Sequence, residues 1–97
     1  MTPAVKQSPA LTALREELGA LDAEFVDLLA RRVDIARRIG AEKRAAGLAT
    51  LDTRREAQVV ASVARHARRV GLHEESVRDI FWPVVAMCRR AQQDEAP

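Results

Sequence analysis

Apolar residues recur at Leu11, Leu14, Leu18, Leu21, Phe25, Leu28, Ile35 and Ile39, in steps built from threes and fours. That spacing draws one continuous stripe along a helix, and predicts a single long helix from Leu11 to about Lys43. The stripe has one break. The repeat position after Leu28 is Arg32, where a guanidinium needs either a buried partner or a polar cavity. Ser8-Pro9 suits the start of this helix, with Ser8 as N-cap and Pro9 at the first helical position. Gly47, just after Ala45-Ala46, is a natural stop. Gly19 and Gly40 lie inside the helix, each at a cost of about 1 kcal/mol relative to alanine. Either would permit close packing or the approach of a ligand, but a tolerated defect is the more ordinary reading.

After a short loop from Leu48 to Leu51, Thr53-Arg54-Arg55-Glu56 matches a capping box, with Thr53 as N-cap and Glu56 three residues on. The second helix presents Ala57, Val60, Ala61, Ala64 and Ala67 on one face and ends at Gly71. A third opens around His73-Glu74-Glu75, whose acids suit a helix N-terminus. Its stripe is Val77, Ile80, Phe81, Val84, Val85 and Cys88, and the next position in the seam is again polar, Gln92. Pro83 is expected to kink this helix near Asp79. Residues 1–9, with two prolines and no periodicity, read as a disordered arm and 94–97 as a disordered tail, leaving an all-α domain over 10–93. Its helices are long, short and medium. At about 1.5 Å per residue, the two shorter helices cannot cover the whole of the first. A second copy related by a two-fold axis can, so the expected assembly is an intertwined homodimer.

Composition narrows the class. The chain of 97 residues suits one domain with one modest core. With 47% apolar and 31% charged residues, a soluble globular protein is expected. Net charge is only +2. The arginine doublets at 31–32, 37–38, 54–55, 68–69 and 89–90 are spread over all three helices among acids. They read as solvated faces rather than a nucleic-acid footprint. Cys88 is the only cysteine, which excludes an intramolecular disulfide and fits a reducing compartment. No apolar run is long enough for a membrane span and the N-terminus lacks a signal-peptide core, so a cytoplasmic location is expected. His66 and His73 sit in no metal-ligand pattern.

The polar residues with no obvious packing role then form a set. Lys43 follows Arg32 by eleven residues, a net rotation of about 20° on an ideal helix, so both cations point the same way. Arg15 points about 100° elsewhere, and would serve the same site only from a partner chain. Asp52, Arg55 and Glu56 cluster where the second helix begins, and Gln92 comes from the third. Cations, carboxylates and one amide, without a nucleophile or metal set, suit a small dicarboxylate that also carries a hydroxyl. Arginine pairs bidentately with carboxylates, and the neighbouring acids can orient the hydroxyl.

Taken in order, Leu14-Arg15, Leu21-Asp22, Leu28-Leu29-Ala30-Arg31-Arg32, Lys43, Asp52, Arg55-Glu56 and Gln92 resemble the all-α chorismate mutases over roughly Leu11 to Gln93. The resemblance implies an intertwined homodimer with two identical pockets, each completed by Arg15 of the other chain. It implies that Arg15 and Arg32 bind the two carboxylate regions of chorismate, with Arg55 adding to that shell. Lys43 would contact a carboxylate and the ether oxygen of the breaking C–O bond, and Gln92 would donate to the same oxygen. Asp52 and Glu56 would hold the ring hydroxyl. The family's reaction, chorismate to prephenate, is a concerted rearrangement and implies no cofactor and no metal. Its demands are a compact reactive conformer and fixed donors where negative charge grows. A partner enzyme of the aromatic pathway is a further implied contact.

Two departures bear on the substrate. Position 88, where serine is expected in the family, is Cys88, a poorer donor to a carboxylate. Trp82-Pro83 is also unusual and would reshape the pocket wall. Relatives of this scaffold rearrange 4-amino-4-deoxychorismate or release pyruvate from isochorismate, and Glu56 would accept a hydrogen bond from a hydroxyl or an ammonium. Outside enzymes, the alternative is a helical regulatory or interaction module.

Overall fold

The computed structural model describes residues 8–94; the expected disordered arm over 1–9 and tail over 94–97 lie outside the described residues except for Ser8, Pro9 and Asp94, of which Pro9 is the first residue of a helix. The described chain is three helices, α1 (Pro9–Ala45), α2 (Thr53–Arg69) and α3 (Glu74–Gln93), without a strand among them. The all-α expectation holds, and so does the long-short-medium order.

Local chemistry sets the boundaries. The Leu11 N–H donates to Ser8 Oγ at 3.0 Å, and Pro9 opens α1. That helix stops at Gly47, whose φ of 71° is cheap only without a Cβ. The following Leu48 N–H donates back to the Lys43 carbonyl at 2.8 Å. Gly71 plays the same part after α2, at φ 82°. The start of α2 differs from expectation by one residue. Asp52, not Thr53, is the N-cap, its Oδ1 accepting from the Arg55 N–H at 2.9 Å. A one-residue shift puts the carboxylate, the stronger partner for the positive end of a helix, at the cap. It also frees Glu56 from the capping box. At α3 the cap is the His73 ring, whose Nδ1 accepts from the Ser76 N–H at 3.2 Å. Pro83 lies inside α3 without ending it.

The chain divides between Ala30 and Arg31 into two compact parts. In the first, every large residue of the predicted stripe from Leu11 to Leu28 is exposed. A helix with an unburied apolar face gains little from propensity alone. In the second part α2 and α3 pack together, burying Val60, Ala64 and Ala67 of α2 and Val84 and Val85 of α3. Ala57, assigned to the same face of α2, is exposed, and Ala61 is half-buried. Ala36 of α1 joins Cys88 and Ala91 of α3 in a small buried cluster, with Val33 against it.

Gly40 departs most from the reading of the sequence. It is buried, and a Cβ there would fall 2.7 Å from Gln92 Cα and closer still to the Gln92 carbonyl oxygen. It is the point where the α1 backbone meets the end of α3, a close approach that only glycine permits. Gly19, by contrast, has nothing within 4 Å of a Cβ. Among the described residues no helix is long and apolar enough to cross a membrane.

Candidate active site

Close packing at Gly40 places the C-terminal turn of α3 beside α1, and a cavity of about 380 Å³ opens next to it, between α1 and the faces of α2 and α3. It is lined by Arg32, Lys43, Asp52, Arg55, Glu56, Cys88 and Gln92, with Ile35, Ala36, Ile39, Val59 and Val85 as its apolar wall. All the residues singled out in the sequence except Arg15 therefore meet in one place. Arg15 lies in the first part of the chain and is exposed. A wider hollow of about 670 Å³ runs past Ile35, Arg38, Ile39 and Leu48, but it takes only Lys43 from the set. The smaller cavity is the one that gathers the set.

Lys43 and Gln92 are joined. The Lys43 ammonium donates to Gln92 Oε1 and to the Thr50 carbonyl, each at 2.9 Å. Two of its three protons are thereby directed, leaving one for a ligand. With its oxygen committed to Lys43, Gln92 presents its NH2 as the group able to donate. The Gln92 backbone is held from the same side, because the Arg44 guanidinium donates to its carbonyl. Three α1 residues (Gly40, Lys43 and Arg44) therefore fix the last turn of α3.

Arg32, the break in the apolar seam, is half-buried, with its guanidinium 5.6 Å from the centre of the Phe81 ring. A cation over an aromatic face is attracted by the ring's quadrupole. Its N–H donors make no hydrogen bond among the described residues and are available to a carboxylate. Both polar residues of the apolar seams, Arg32 and Gln92, line the cavity, and Gln92 accepts from Lys43. Cys88 also lines the cavity, but it is packed with Ala36 and Ala91, as a small hydrophobe.

Glu56 has a partner that the sequence did not reveal. Arg89 holds it bidentately, Nε to Oε2 at 2.8 Å and Nη2 to Oε1 at 2.7 Å. The doublet pattern reads Arg89 as a solvated charge; its place four residues after Val85, beside the buried stripe, is the signal that separates it. Hydrogen bonding from Arg89 holds the Glu56 carboxyl below its ordinary value, against the opposing effect of partial burial. Glu56 is therefore ionised at neutral pH and acts as an acceptor.

The sign of the linkage follows from that depressed value. The stability contributed by the pair is fully present above the unfolded-state glutamate pKa, and is lost as pH falls through the lower folded-state value. Denaturant midpoints of the native protein and Glu56→Gln, measured from neutral to acid pH, are expected to converge only below the ordinary carboxylate range. Convergence at or above that range would show the pair to be weak in solution.

The sequence profile of the family described as chorismate mutase type II matches residues 14–93. Among similar proteins, the T-protein of Enterobacter agglomerans is 29% identical over 85 residues, covering 88% of this chain and 23% of that one. The 4-amino-4-deoxychorismate mutase of Streptomyces pristinaespiralis is 34% identical over 92 residues, covering 95% of this chain and 70% of the relative. The 3-dehydroquinate dehydratase of Pyrobaculum aerophilum is 39% identical over 82 residues, 84% of this chain and 24% of that protein. The chain thus spans about a quarter of two of these relatives and most of the other. A profile match over most of the chain, on a three-helix fold whose cavity gathers the polar residues picked out along the sequence, means that the chain belongs to the chorismate mutase type II family.

Proposed function

We propose that this protein converts chorismate to prephenate, breaking the ether C–O bond and forming a C–C bond in one concerted step. The observation that carries this reading is the Lys43–Gln92 pair, fixed at 2.9 Å inside the cavity that also holds Arg32 and Glu56. Such a pair supplies preorganised donors for the oxygen on which negative charge grows. Arg32 and Arg55 bind carboxylate, which holds the substrate in its compact reactive form. Asp52 and the ionised Glu56 accept from the ring hydroxyl. Each donor is in place before the reaction begins, so little reorganisation accompanies bond breaking.

The protein acts as a homodimer in this reading. The exposed apolar stripe of α1 calls for a cover, and a second copy carries a matching stripe. Arg15 then enters the site of the other chain as the second carboxylate ligand. The cell's reducing cytoplasm, compatible with the free Cys88, is its location.

The direct test is loss of chorismate absorbance with purified protein, followed by identification of the product. Prephenate supports the proposal; absence of prephenate from a folded sample rejects it. A second reading, rearrangement of 4-amino-4-deoxychorismate, is favoured by the similarity to the Streptomyces pristinaespiralis enzyme over 95% of this chain, and a side-by-side assay of the two substrates separates them.

Sharing of the site between chains has its own test. Arg15→Ala and Arg32→Ala are each expected to be nearly inactive yet helical. Mixed and re-annealed in equal amounts, they should recover about a quarter of native activity, because half the dimers are hybrid and half of their sites are intact. A mixture as inactive as its parents would place Arg15 and Arg32 in the same chain's site, or outside any site.

A further inference from the structure

We propose that Arg89 is a specificity-determining positioning residue, which neutralises Glu56 so that this end of the cavity takes a neutral hydroxyl and disfavours an ammonium on the ligand. The inference rests on the proposed reading that a ring-bearing dicarboxylate occupies the cavity, and goes beyond it by naming what sets the preference between two substituents. Glu56 lines the cavity, whereas Arg89 is not among the lining residues and reaches the carboxylate from α3. Each Glu56 oxygen takes one N–H from the guanidinium. Each oxygen retains capacity to accept once more, which is all that a hydroxyl donor requires.

An ammonium at the same position meets a different field. It gains from Glu56, but the guanidinium bound to both Glu56 oxygens is a positive charge just behind them, and the attraction is largely cancelled. The remaining charges do not restore it. Lys43 is close enough to act on Glu56 electrostatically, and so is Asp52, with opposite signs. Removal of Arg89 would leave Glu56 with an uncompensated negative charge facing the ligand, an arrangement that favours a cation. Arg89 also holds a half-buried position, with 34% of its side chain exposed against 15% for Glu56, so solvent screens this pair less than a surface contact.

The test compares chorismate and 4-amino-4-deoxychorismate on the full chain, by kcat/KM and by calorimetric Kd, for the native protein, Arg89→Gln and Arg89→Lys. The native protein should prefer chorismate. Arg89→Gln should shift the ratio of the two kcat/KM values by about tenfold or more toward the amine, and the ratio of Kd values in the same direction. Arg89→Lys, which keeps the charge without the bidentate geometry, should restore most of the native ratio. Carbon-13 titration should show the Glu56 carboxyl pKa rising in Arg89→Gln. A raised Glu56 pKa with unchanged ratios would make the pair merely structural and overturn the proposal, as would a native preference for the amine. A Lys variant as unselective as Gln would also overturn it. If neither substrate turns over but the Kd ratios shift as stated, the mutase reading fails and the charge assignment stands; if neither compound binds, both fall.

Discussion

Lys43→Ala is expected to lower kcat for chorismate by about 10³-fold while leaving the helical content unchanged. Loss of one donor to a developing negative charge costs roughly 10²- to 10³-fold in comparable sites. Lys43 should sit at the upper end, because it is both a donor and the anchor of a second donor. Without its ammonium, Gln92 loses the partner that fixes its amide orientation, and the Thr50 carbonyl loses its side-chain partner. Gln92→Ala should therefore cost less, about 10²-fold, since Lys43 remains. The double variant should be hardly worse than Lys43→Ala alone, because the two residues act as one unit. Steady-state assays of the three proteins, with circular dichroism as a control for folding, decide the matter. A Lys43→Ala enzyme within tenfold of native activity would sink the assignment of the pair. Additive losses would leave both as donors but remove the anchoring role.

Much of this arrangement was legible because seams of apolar residues expose their own exceptions. Arg32 and Gln92 occupy positions where the periodicity calls for a hydrophobe, and both line the cavity. The helix-period arithmetic that aligned Lys43 with Arg32 also held, since a regular helix carries that angle over three turns. What the sequence hid were contacts between elements. The Glu56–Arg89 pair joins residues 33 positions apart in the chain, and local pattern gave Glu56 a satisfactory role in a capping box. Only packing of α2 on α3 reveals the better partner. The N-cap moved from Thr53 to Asp52 for a smaller reason, since both residue types cap well and a single-residue boundary is weakly specified. The place of Arg15 is of a third kind. It is exposed in the chain, and only the proposed pairing with a second copy would bring it to a cavity.

Gly40→Ala is expected to destabilise the protein and to lower activity, although alanine is the better helix former. The propensity gain is about 1 kcal/mol in favour of alanine. Against it stands overlap of the new Cβ with the Gln92 backbone, where the Cα would be 2.7 Å away. Overpacking of this kind costs about 1–3 kcal/mol, and backbone on both sides leaves no flexible side chain to yield. The repulsion wins, so the thermal midpoint should fall. Gly19→Ala is the matched control on the same helix, with open space around its Cβ; it should be stabilised by about 0.5–1 kcal/mol. The displaced atom in Gly40→Ala belongs to Gln92, so the perturbation passes directly to the donor pair. A misplacement near 1 Å can cost about 100-fold in rate, and kcat should fall more than KM rises. Thermal unfolding and steady-state kinetics on both variants test the account together. A Gly40→Ala protein as stable and as active as Gly19→Ala would mean that α3 is not held against α1 at this point in solution, and that Gln92 is positioned by something other than the close approach of these two helices.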